Sequence, residues 1–266
     1  MKEQLDREKV KAANINYHDS VAQCYDEANT LEHPKFIQSY KNIFDNILPI
    51  KSSSSESVIL DIGCGTGFLL QFLEQPGRKK VFASDITPNM LKIASSKYTS
   101  PNYFRGDSYS LPFKDKTFDF VLCNALLHHL YDWESALVEL TRVLKHGGTL
   151  FVGCEPNSYV YKLFNPLRKF YHKFVRDKRI KSAIEAGGVK ADDEEIAEFH
   201  RFYRDGIDPH TLSSILYRLG ASKVDTLYTN IGMWANLADR TKIDLVKFLP
   251  SSLGTLSVSF HCIAHF

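Results

Sequence analysis

The chain has 266 residues, of which 44% are hydrophobic, so it can bury one substantial core and we expect a single domain over residues 1–266. Its formal net charge of +2 is too balanced to indicate a nucleic-acid-binding protein. The five scattered cysteines form no C-x-x-C pair, which argues against a disulfide framework and a metal site and predicts a reducing, cytoplasmic location.

The first fifty residues are expected to form a helical cap, over residues 1–50. The stretch from Met1 to about Ala13 is highly charged and lacks the apolar segment of a targeting signal, so it predicts a frayed amphipathic helix. Phe36–Leu48 carries apolar residues at helical spacing, which predicts a helix packed on a sheet. No uninterrupted apolar run in the chain is long enough to span a bilayer.

The stretch Val58–Gly67 reads VILDIGCGTG and is the centre of the predicted fold. Its apolar start predicts a buried strand, and its three glycines allow the main chain of the following turn to approach a ligand closely. Helical spacing resumes over Phe68–Leu73. A dinucleotide fingerprint would need glycine at Phe68, and a P-loop would need a lysine in the turn. Asp61 instead favours a ligand with a positively charged end.

The next strands each end near a polar residue. A second strand over Lys80–Ser84 ends at Asp85, where a carboxylate can accept both hydroxyls of a ribose. A plain loop acid is the alternative interpretation of Asp85. A short third strand over Asn102–Arg105 leads to Asp107, and Phe118–Asn124 predicts a buried fourth strand.

Two helices are predicted from their end signals. Thr87 and Pro88 provide an N-cap and a first helical residue. Trp133–Lys145 has a helical apolar pattern, with Asp132 as its N-cap and the glycines 147–148 as its stop.

The carboxyl-terminal half completes the alternation of strands and helices. Thr149–Cys154 predicts strand five, which is followed by Glu155. A helix is expected over Asp208–Gly220 and strand six over Lys223–Tyr228. Leu256–Phe266 alternates strictly between apolar and other residues, which predicts a last strand with one buried face.

These motifs resemble the class I S-adenosylmethionine (SAM)-dependent methyltransferases, and within them the small-molecule type 11 group that includes the ubiquinone and menaquinone methyltransferases. Besides the glycine turn, the resemblance is carried by Leu111-Pro112-Phe113 followed by Phe118-Asp119 and an apolar run, and it covers roughly residues 17–155. It implies an α/β fold, a Rossmann-like doubly wound seven-stranded mostly parallel sheet with an antiparallel last strand beside strand five. A helical lid insertion is expected after strand five, at residues 156–207.

The resemblance also implies SAM as the cofactor and places its contacts along one sheet edge. Asp61 and the backbone of the glycine turn would hold the aminocarboxypropyl end, Asp85 the ribose, Asp107 the adenine, and Asn124 would lie near the methyl group. The segment containing Tyr25 would fold over the cofactor, although an ordinary helix edge explains it equally well. The expected cofactor-binding residues are Tyr25, Asp61, Gly63, Cys64, Gly65, Gly67, Asp85, Ile86, Asp107, Ser108 and Asn124.

A catalytic base is needed only if the accepting atom must lose a proton. His128 and His129 follow strand four, and imidazole has a pKa suited to this role near neutrality. Glu155, at the end of neighbouring strand five, can orient His128, which makes His128 and Glu155 the candidate catalytic pair. The alternative is that the two histidines belong to a structural turn.

The insertion at residues 156–207 is the most individual part of the chain. Over residues 161–181, aromatic side chains at helical spacing alternate with basic ones. This pattern suits either a lid whose charges are solvated or a helix on a membrane surface. The acidic residues 192–195 can pair with the basic stretch.

The leading hypothesis is a SAM-dependent methyltransferase that acts at O, N or C of a small molecule, for instance a lipophilic, quinone-like or phenol-like one. An alternative is a catalytically silent SAM-binding or interaction module. An NAD(P)-dependent oxidoreductase is disfavoured by Phe68 and by the absence of a Tyr-x-x-x-Lys pair. No nucleic-acid acceptor is expected, and the sequence leaves the oligomeric state open.

Overall fold

The computed structural model describes residues 5–29, 31–47, 57–73, 79–163, 193–229 and 259–266. Seven strands form one sheet in the order β3-β2-β1-β4-β5-β7-β6. The strands are β1 Ser57–Ile62, β2 Lys79–Asp85, β3 Asn102–Arg105, β4 Phe118–Asn124, β5 Leu144–Pro156, β6 Lys223–Thr229 and β7 Ser259–His265.

Six strands point in one direction, and β7 runs against them between β5 and β6. The first five strands pair in parallel, with Leu60 opposite Phe82 on one side and Val121 on the other. The predicted Rossmann-like, doubly wound sheet with its antiparallel strand inserted beside strand five is therefore confirmed. The carboxyl ends of β1 to β5 meet at one edge, where open α/β sheets bind ligands.

Helices cover both faces of this sheet. The α-helices are α1 Arg7–Val21, α2 Tyr25–Ala28, α3 Pro34–Ile47, α4 Pro88–Lys97, α5 Trp133–Val143, α6 Ser158–Leu163, α7 Asp193–Ala197, α8 Phe199–Phe202 and α9 Pro209–Arg218. Short 3₁₀ turns are formed by Ala22–Cys24, Leu70–Phe72 and Leu127–His129. None of the described helices has the length and apolar character that crossing a bilayer requires.

The two faces of the sheet carry separate hydrophobic clusters. Leu60 and Ile62 of β1 point to the face covered by α5 and α9, whereas Ile59 points to the face covered by α3 and α4. This alternation follows from the two-residue period of a strand, and it explains why β1 carries apolar residues on both faces. Asp61 shares the face of Ile59 and is buried with it.

The segment after the glycine turn differs from its prediction. Phe68–Leu73 was expected to be helical, but only Leu70–Phe72 forms a 3₁₀ turn, with Leu70 N–H donating to Gly67 O. Leu69, Leu70, Phe72 and Leu73 are all buried, so no exposed helical face exists here. The prediction of helical spacing was wrong because adjacent apolar residues were counted as one stripe.

The cap also differs in extent from the frayed helix expected up to Ala13. α1 begins at its N-cap Asp6, which accepts a hydrogen bond from Lys9 N, and it continues to Val21. Val10, Tyr17 and Val21 are buried, so packing orders a segment that its charge alone would leave frayed.

The strand β7 has two buried faces rather than the predicted one. Phe260, Cys262 and Ala264 are buried as expected, but so are His261 and Ile263. The His261 ring stacks on Phe151 and its Nδ1 accepts a hydrogen bond from Cys154 N at 3.1 Å. Burial lowers the pKa of His261 to about 3, so the ring is neutral in the core. The apolar alternation therefore identified only one of the two buried faces of β7.

The predicted ends of several other elements hold within two residues, whereas β5 begins at Leu144, five residues before the predicted Thr149. α5 begins at Trp133, after its N-cap Asp132, which accepts from Ser135 N, and ends at Val143, two residues before the predicted Lys145. Gly147 has the left-handed φ expected of a stop, +76°, but lies inside β5. Most of the predicted lid, from residue 164 to 192, and the stretch 256–258 of the predicted last strand lie outside the described residues.

Candidate cofactor and acceptor site

The glycine turn at the end of β1 depends on its glycines. Gly63, Gly65 and Gly67 have φ values of +69°, +53° and +91°, in the region that disfavours side chains. A Cβ at Gly63 would lie 3.0 Å from the Leu126 side chain, whereas a Cβ at Gly65 would meet none of the described residues within 4 Å. The main chain at Gly65 therefore borders open space that a ligand can approach. Cys64 between them is buried and donates its N–H to Ser84 O.

Asp61 lies behind this turn and is only 1% exposed. Among the described residues, neither of its carboxylate oxygens has a hydrogen-bond partner. Burial, and secondly the charge of Asp85, raises the pKa of Asp61 to about 8. A buried carboxylate without a partner is unfavourable, and a cationic ligand group removes this penalty. The ammonium of the aminocarboxypropyl end of SAM fits this requirement.

Asp85 lies at the tip of β2, beside the glycine turn. Its Oδ2 accepts from Gly65 N at 2.9 Å and its Oδ1 from Thr87 N at 2.8 Å. These two bonds fix the carboxylate, and each oxygen keeps a further lone pair for a hydroxyl donor. The next residue, Ile86, uses its carbonyl to accept from Arg105 Nε, which ties the loop to β3.

Asp107 lies at the third strand tip and faces the cap. Its Oδ2 forms an ion pair with Lys11 Nζ of α1 at 2.7 Å, and its Oδ1 accepts from Tyr109 N. Ser108 beside it is buried. The helix α1 therefore lies along the sheet edge where the adenine is expected. Its Lys11 is paired with Asp107, the carboxylate assigned to the adenine.

The segment around Tyr25 contacts the glycine turn through its neighbour Asp26. Asp26 accepts hydrogen bonds from Thr66 Oγ1 and from Lys97 Nζ, so α2 is tied to the turn and to α4. Burial raises the pKa of Tyr25, with Glu198 adding to the effect. The structure thus places the cap segment beside the glycine turn.

Asn124, at the tip of β4, is positioned by a hydrogen bond from α3. Its Oδ1 accepts from the Tyr40 hydroxyl of α3 at 2.7 Å. A Cβ at Gly153 would lie 2.3 Å from the same oxygen, so glycine is required there for the amide to fit. Asn124 therefore bridges β4, β5 and α3 beneath the expected methyl position.

The predicted contact between His128 and Glu155 is present and buried. Glu155 Oε2 lies 2.8 Å from His128 Nδ1 and also accepts from His128 N. Its Oε1 accepts from Leu126 N and Leu127 N, so the carboxylate anchors the whole 3₁₀ turn. Cys154, just before Glu155, has a positive φ of +54° at a register shift of β5 against β7. Such a bulge commonly re-aims the neighbouring side chain.

Electrostatics favour a neutral His128. Burial, followed by the charge of Arg201, holds its pKa well below the usual value. Burial raises the pKa of Glu155 to about 7 against the effect of its N–H donors. With Nδ1 directed at Glu155, the Nε2 of His128 is buried and has no hydrogen-bond partner among the described residues. Its lone pair therefore receives no hydrogen bond from the part of the chain that the structure describes.

Sequence reasoning missed two charged residues that complete this pocket. Glu198 Oε2 lies 3.7 Å from His128 Nε2 and forms an ion pair with Arg201 at 2.7 Å. Burial alone would raise the pKa of Glu198, but Arg201 and the nearby histidines hold it far below the usual value. Both residues lie near the end of the insertion at residues 156–207, where no local motif marked them.

Comparison with known proteins identifies the family. A family model described as "Methyltransferase domain" matches residues 60–152. The demethylmenaquinone methyltransferases of Staphylococcus epidermidis and Streptomyces griseus are 31% and 32% identical over 59% and 62% of this chain. The malonyl-[acyl-carrier protein] O-methyltransferase of Serratia marcescens is 29% identical over 53% of it.

The matches cover only part of these relatives. The chain spans 65% and 69% of the two demethylmenaquinone methyltransferases and 51% of the malonyl-[acyl-carrier protein] enzyme. The solved structure of a SAM-dependent methyltransferase from Archaeoglobus fulgidus shares the fold, with a TM-score of 0.51 at 21% identity over 86% of this chain and 94% of that one. The chain belongs to the SAM-dependent methyltransferase family and carries its methyltransferase domain.

Proposed function

We propose that this protein transfers a methyl group from SAM to an O, N or C atom of a small-molecule acceptor. The proposal rests chiefly on the burial of Asp61 behind the glycine turn. Its carboxylate has no hydrogen-bond partner among the described residues. Family membership supplies the cofactor that matches it. Quinone-like or phenol-like acceptors are the class we favour, because two relatives are named for demethylmenaquinone.

The sulfonium of SAM supplies an already activated methyl group, so the protein has to align the reactants and exclude water. We assign Asp61 to the ammonium, Asp85 to the ribose hydroxyls and Asp107 to the adenine amino group. Lys11 has to share or release Asp107 when the adenine binds, because the two are ion-paired. The remaining expected contacts, including Tyr25 and Asn124, lie around the same sheet edge.

His128 is the residue proposed to accept the proton of an acidic acceptor group. Glu155 fixes its Nδ1 side at 2.8 Å, which leaves the buried Nε2 as the acceptor atom. A positioned proton acceptor contributes on the order of 10²-fold or more to the rate. Glu155 acts here as a positioning residue, because it contacts His128 and the turn.

We therefore expect His128→Ala to lower kcat by about 10²-fold while SAM affinity stays unchanged. Glu155→Gln should lower kcat in the same direction, and circular dichroism should verify that it folds. His146→Ala, at an exposed position of β5, is the matched control and should keep full activity. A wild-type rate in His128→Ala would remove His128 from the mechanism.

The acceptor is tested with SAM carrying an isotope-labelled methyl group. The purified protein is incubated with a panel of phenols, quinones in their reduced form, amines and malonyl thioesters, and labelled products are identified by mass spectrometry. A labelled product defines the acceptor class. SAM binding without transfer to any acceptor would favour the silent binding module, and binding of NAD(P)H in place of SAM would favour an oxidoreductase.

Two further assignments belong to this proposal. The five cysteines are all free, which is consistent with the proposed cytoplasmic location. The segment 161–181, mostly outside the described residues, is proposed as a lid, with a membrane-surface helix as the alternative. Co-sedimentation with anionic vesicles at low salt separates the two, because only a surface helix binds them.

A further inference from the structure

Three distant parts of the chain bring potential metal ligands together beside the proposed catalytic turn. His18 comes from α1, His129 from the 3₁₀ turn after β4, and Glu198 from the start of α8. One ligand atom from each lies within 4.8 Å of the others. We call these three residues the His–His–Glu cluster. The two imidazole rings meet at 89° with centroids 4.8 Å apart.

Both imidazole rings are oriented by hydrogen bonds to backbone carbonyl oxygens. The Nδ1 of His18 lies 3.0 Å from Asn14 O, and that of His129 lies 2.8 Å from Ala197 O. A carbonyl oxygen only accepts, so each Nδ1 must carry the hydrogen and each Nε2 the lone pair. Ligating histidines are commonly fixed in this way by a carbonyl behind the ring.

Glu198 is oriented in a comparable manner. Arg201 pairs with its Oε2 at 2.7 Å, while its Oε1 is the oxygen nearer to His129, 4.0 Å from that ring's Nδ1. The carboxylate can thus be positioned by Arg201 through one oxygen and offer the other to an ion. Glu198 is mostly buried, with a side chain 12% exposed, so its orientation is set by packing rather than by solvent.

We propose that His18, His129 and Glu198 bind a divalent transition-metal ion of the Zn²⁺ type. Two imidazole nitrogens and one carboxylate oxygen suit Zn²⁺ and its neighbours, whereas Mg²⁺ and Ca²⁺ prefer oxygen ligands alone. Three protein ligands leave a coordination position for water or a bound molecule. The sequence predicts no metal site, because no local spacing brings these three residues together.

The position of the proposed metal ion beside His128 suggests a role for the ion in binding the acceptor. His129 follows the proposed proton acceptor His128 directly, and their rings are 4.0 Å apart. A metal ion can bind an acceptor oxygen and lower the pKa of a bound hydroxyl. This use rests on the proposed function, whereas metal binding itself can be measured without SAM or an acceptor.

The test is a titration of metal-free full-length protein with Co²⁺, followed by electronic spectroscopy and calorimetry. We expect one equivalent to bind, with a spectrum that lacks a thiolate-to-cobalt charge-transfer band. His18→Gln should weaken binding by at least about tenfold. His18 is only half-buried on α1, so this change should leave the fold intact. His210→Gln, at an exposed position of α9, is the matched control and should bind as the wild type does.

A second measurement, the change in Tm on adding Co²⁺, tests metal binding even in variants whose stability is altered. Co²⁺ should raise the Tm of the wild type and of His210→Gln, but not that of His18→Gln or Glu198→Gln, because only an intact site couples binding to folding. The proposal is overturned if the wild type binds no stoichiometric ion, if His18→Gln binds with wild-type affinity, or if a thiolate band shows that cysteines are the ligands.

Discussion

Replacing Asp61 by asparagine should abolish SAM binding and, at the same time, stabilise the ligand-free protein at pH 8. Asp61 is buried with no hydrogen-bond partner among the described residues, so the ammonium of SAM would be its natural counter-ion. Removing one partner of a buried ion pair costs about 3–5 kcal/mol, which corresponds to more than a hundredfold in Kd. Calorimetric titration of SAM into the variant measures this loss.

The stability effect follows from the raised pKa of Asp61. The pKa is about 8 in the folded protein against an ordinary value of 3.8, because of burial and then the charge of Asp85. Between these values the unfolded chain has lost the proton while the folded protein keeps it. The free energy of unfolding contributed by Asp61 therefore falls as the pH rises from about 4 to about 8, and the loss is complete above that range.

Asparagine does not titrate, so Asp61→Asn should escape this loss. Urea unfolding without SAM should be measured at pH values from about 5 to about 9. Over this range the free energy of unfolding of the variant should rise relative to that of the wild type by a few kcal/mol, as expected for a pKa shift of this size. Asp119→Asn on the neighbouring strand β4 is the control and should bind SAM normally. Undiminished SAM binding by Asp61→Asn would contradict the assignment of Asp61 to the ammonium.

The sheet and the glycine turn could be predicted because their information is local. β1, β2 and β4 each contain a short apolar run, and Gly63, Gly65 and Gly67 all adopt the positive φ values that their spacing implies. The contact of Glu155 with His128 was also predictable, because the ends of adjacent parallel strands are neighbours.

The rest depends on contacts that no local pattern contains. His261 is not part of the alternating apolar set of the predicted last strand, yet the packing of α3 over β7 places its ring 5.2 Å from Tyr40. Glu198 and Arg201 reach the pocket only because α7 packs along α1 and α8 along the turn at Leu127–His129. The role proposed for His18 likewise depends on where α1 crosses the sheet edge.

Replacing Gly65 by alanine should lower SAM affinity by at least about tenfold, or 1.4 kcal/mol, with little effect on the fold beyond local strain. The added Cβ would meet no atom of the described residues within 4 Å, so the space it takes is the space expected for the cofactor. The backbone N–H of Gly65 donates to Asp85, so a shift of this residue would also disturb the proposed ribose contact. Calorimetry with SAM measures the affinity, and urea unfolding measures the strain.

The variant Gly147→Ala distinguishes the cost of backbone strain from the loss of SAM affinity. Gly147 has a φ of +76° and, like Gly65, open space around its Cβ position, but it lies at the start of β5, away from the proposed cofactor edge. An alanine in the left-handed region costs roughly 1–2 kcal/mol at either position. Equal loss of stability with loss of SAM affinity only in Gly65→Ala would place the cofactor against the glycine turn. Equal SAM affinity in the two variants would mean that the cofactor does not approach Gly65, and the proposed site would have to be moved.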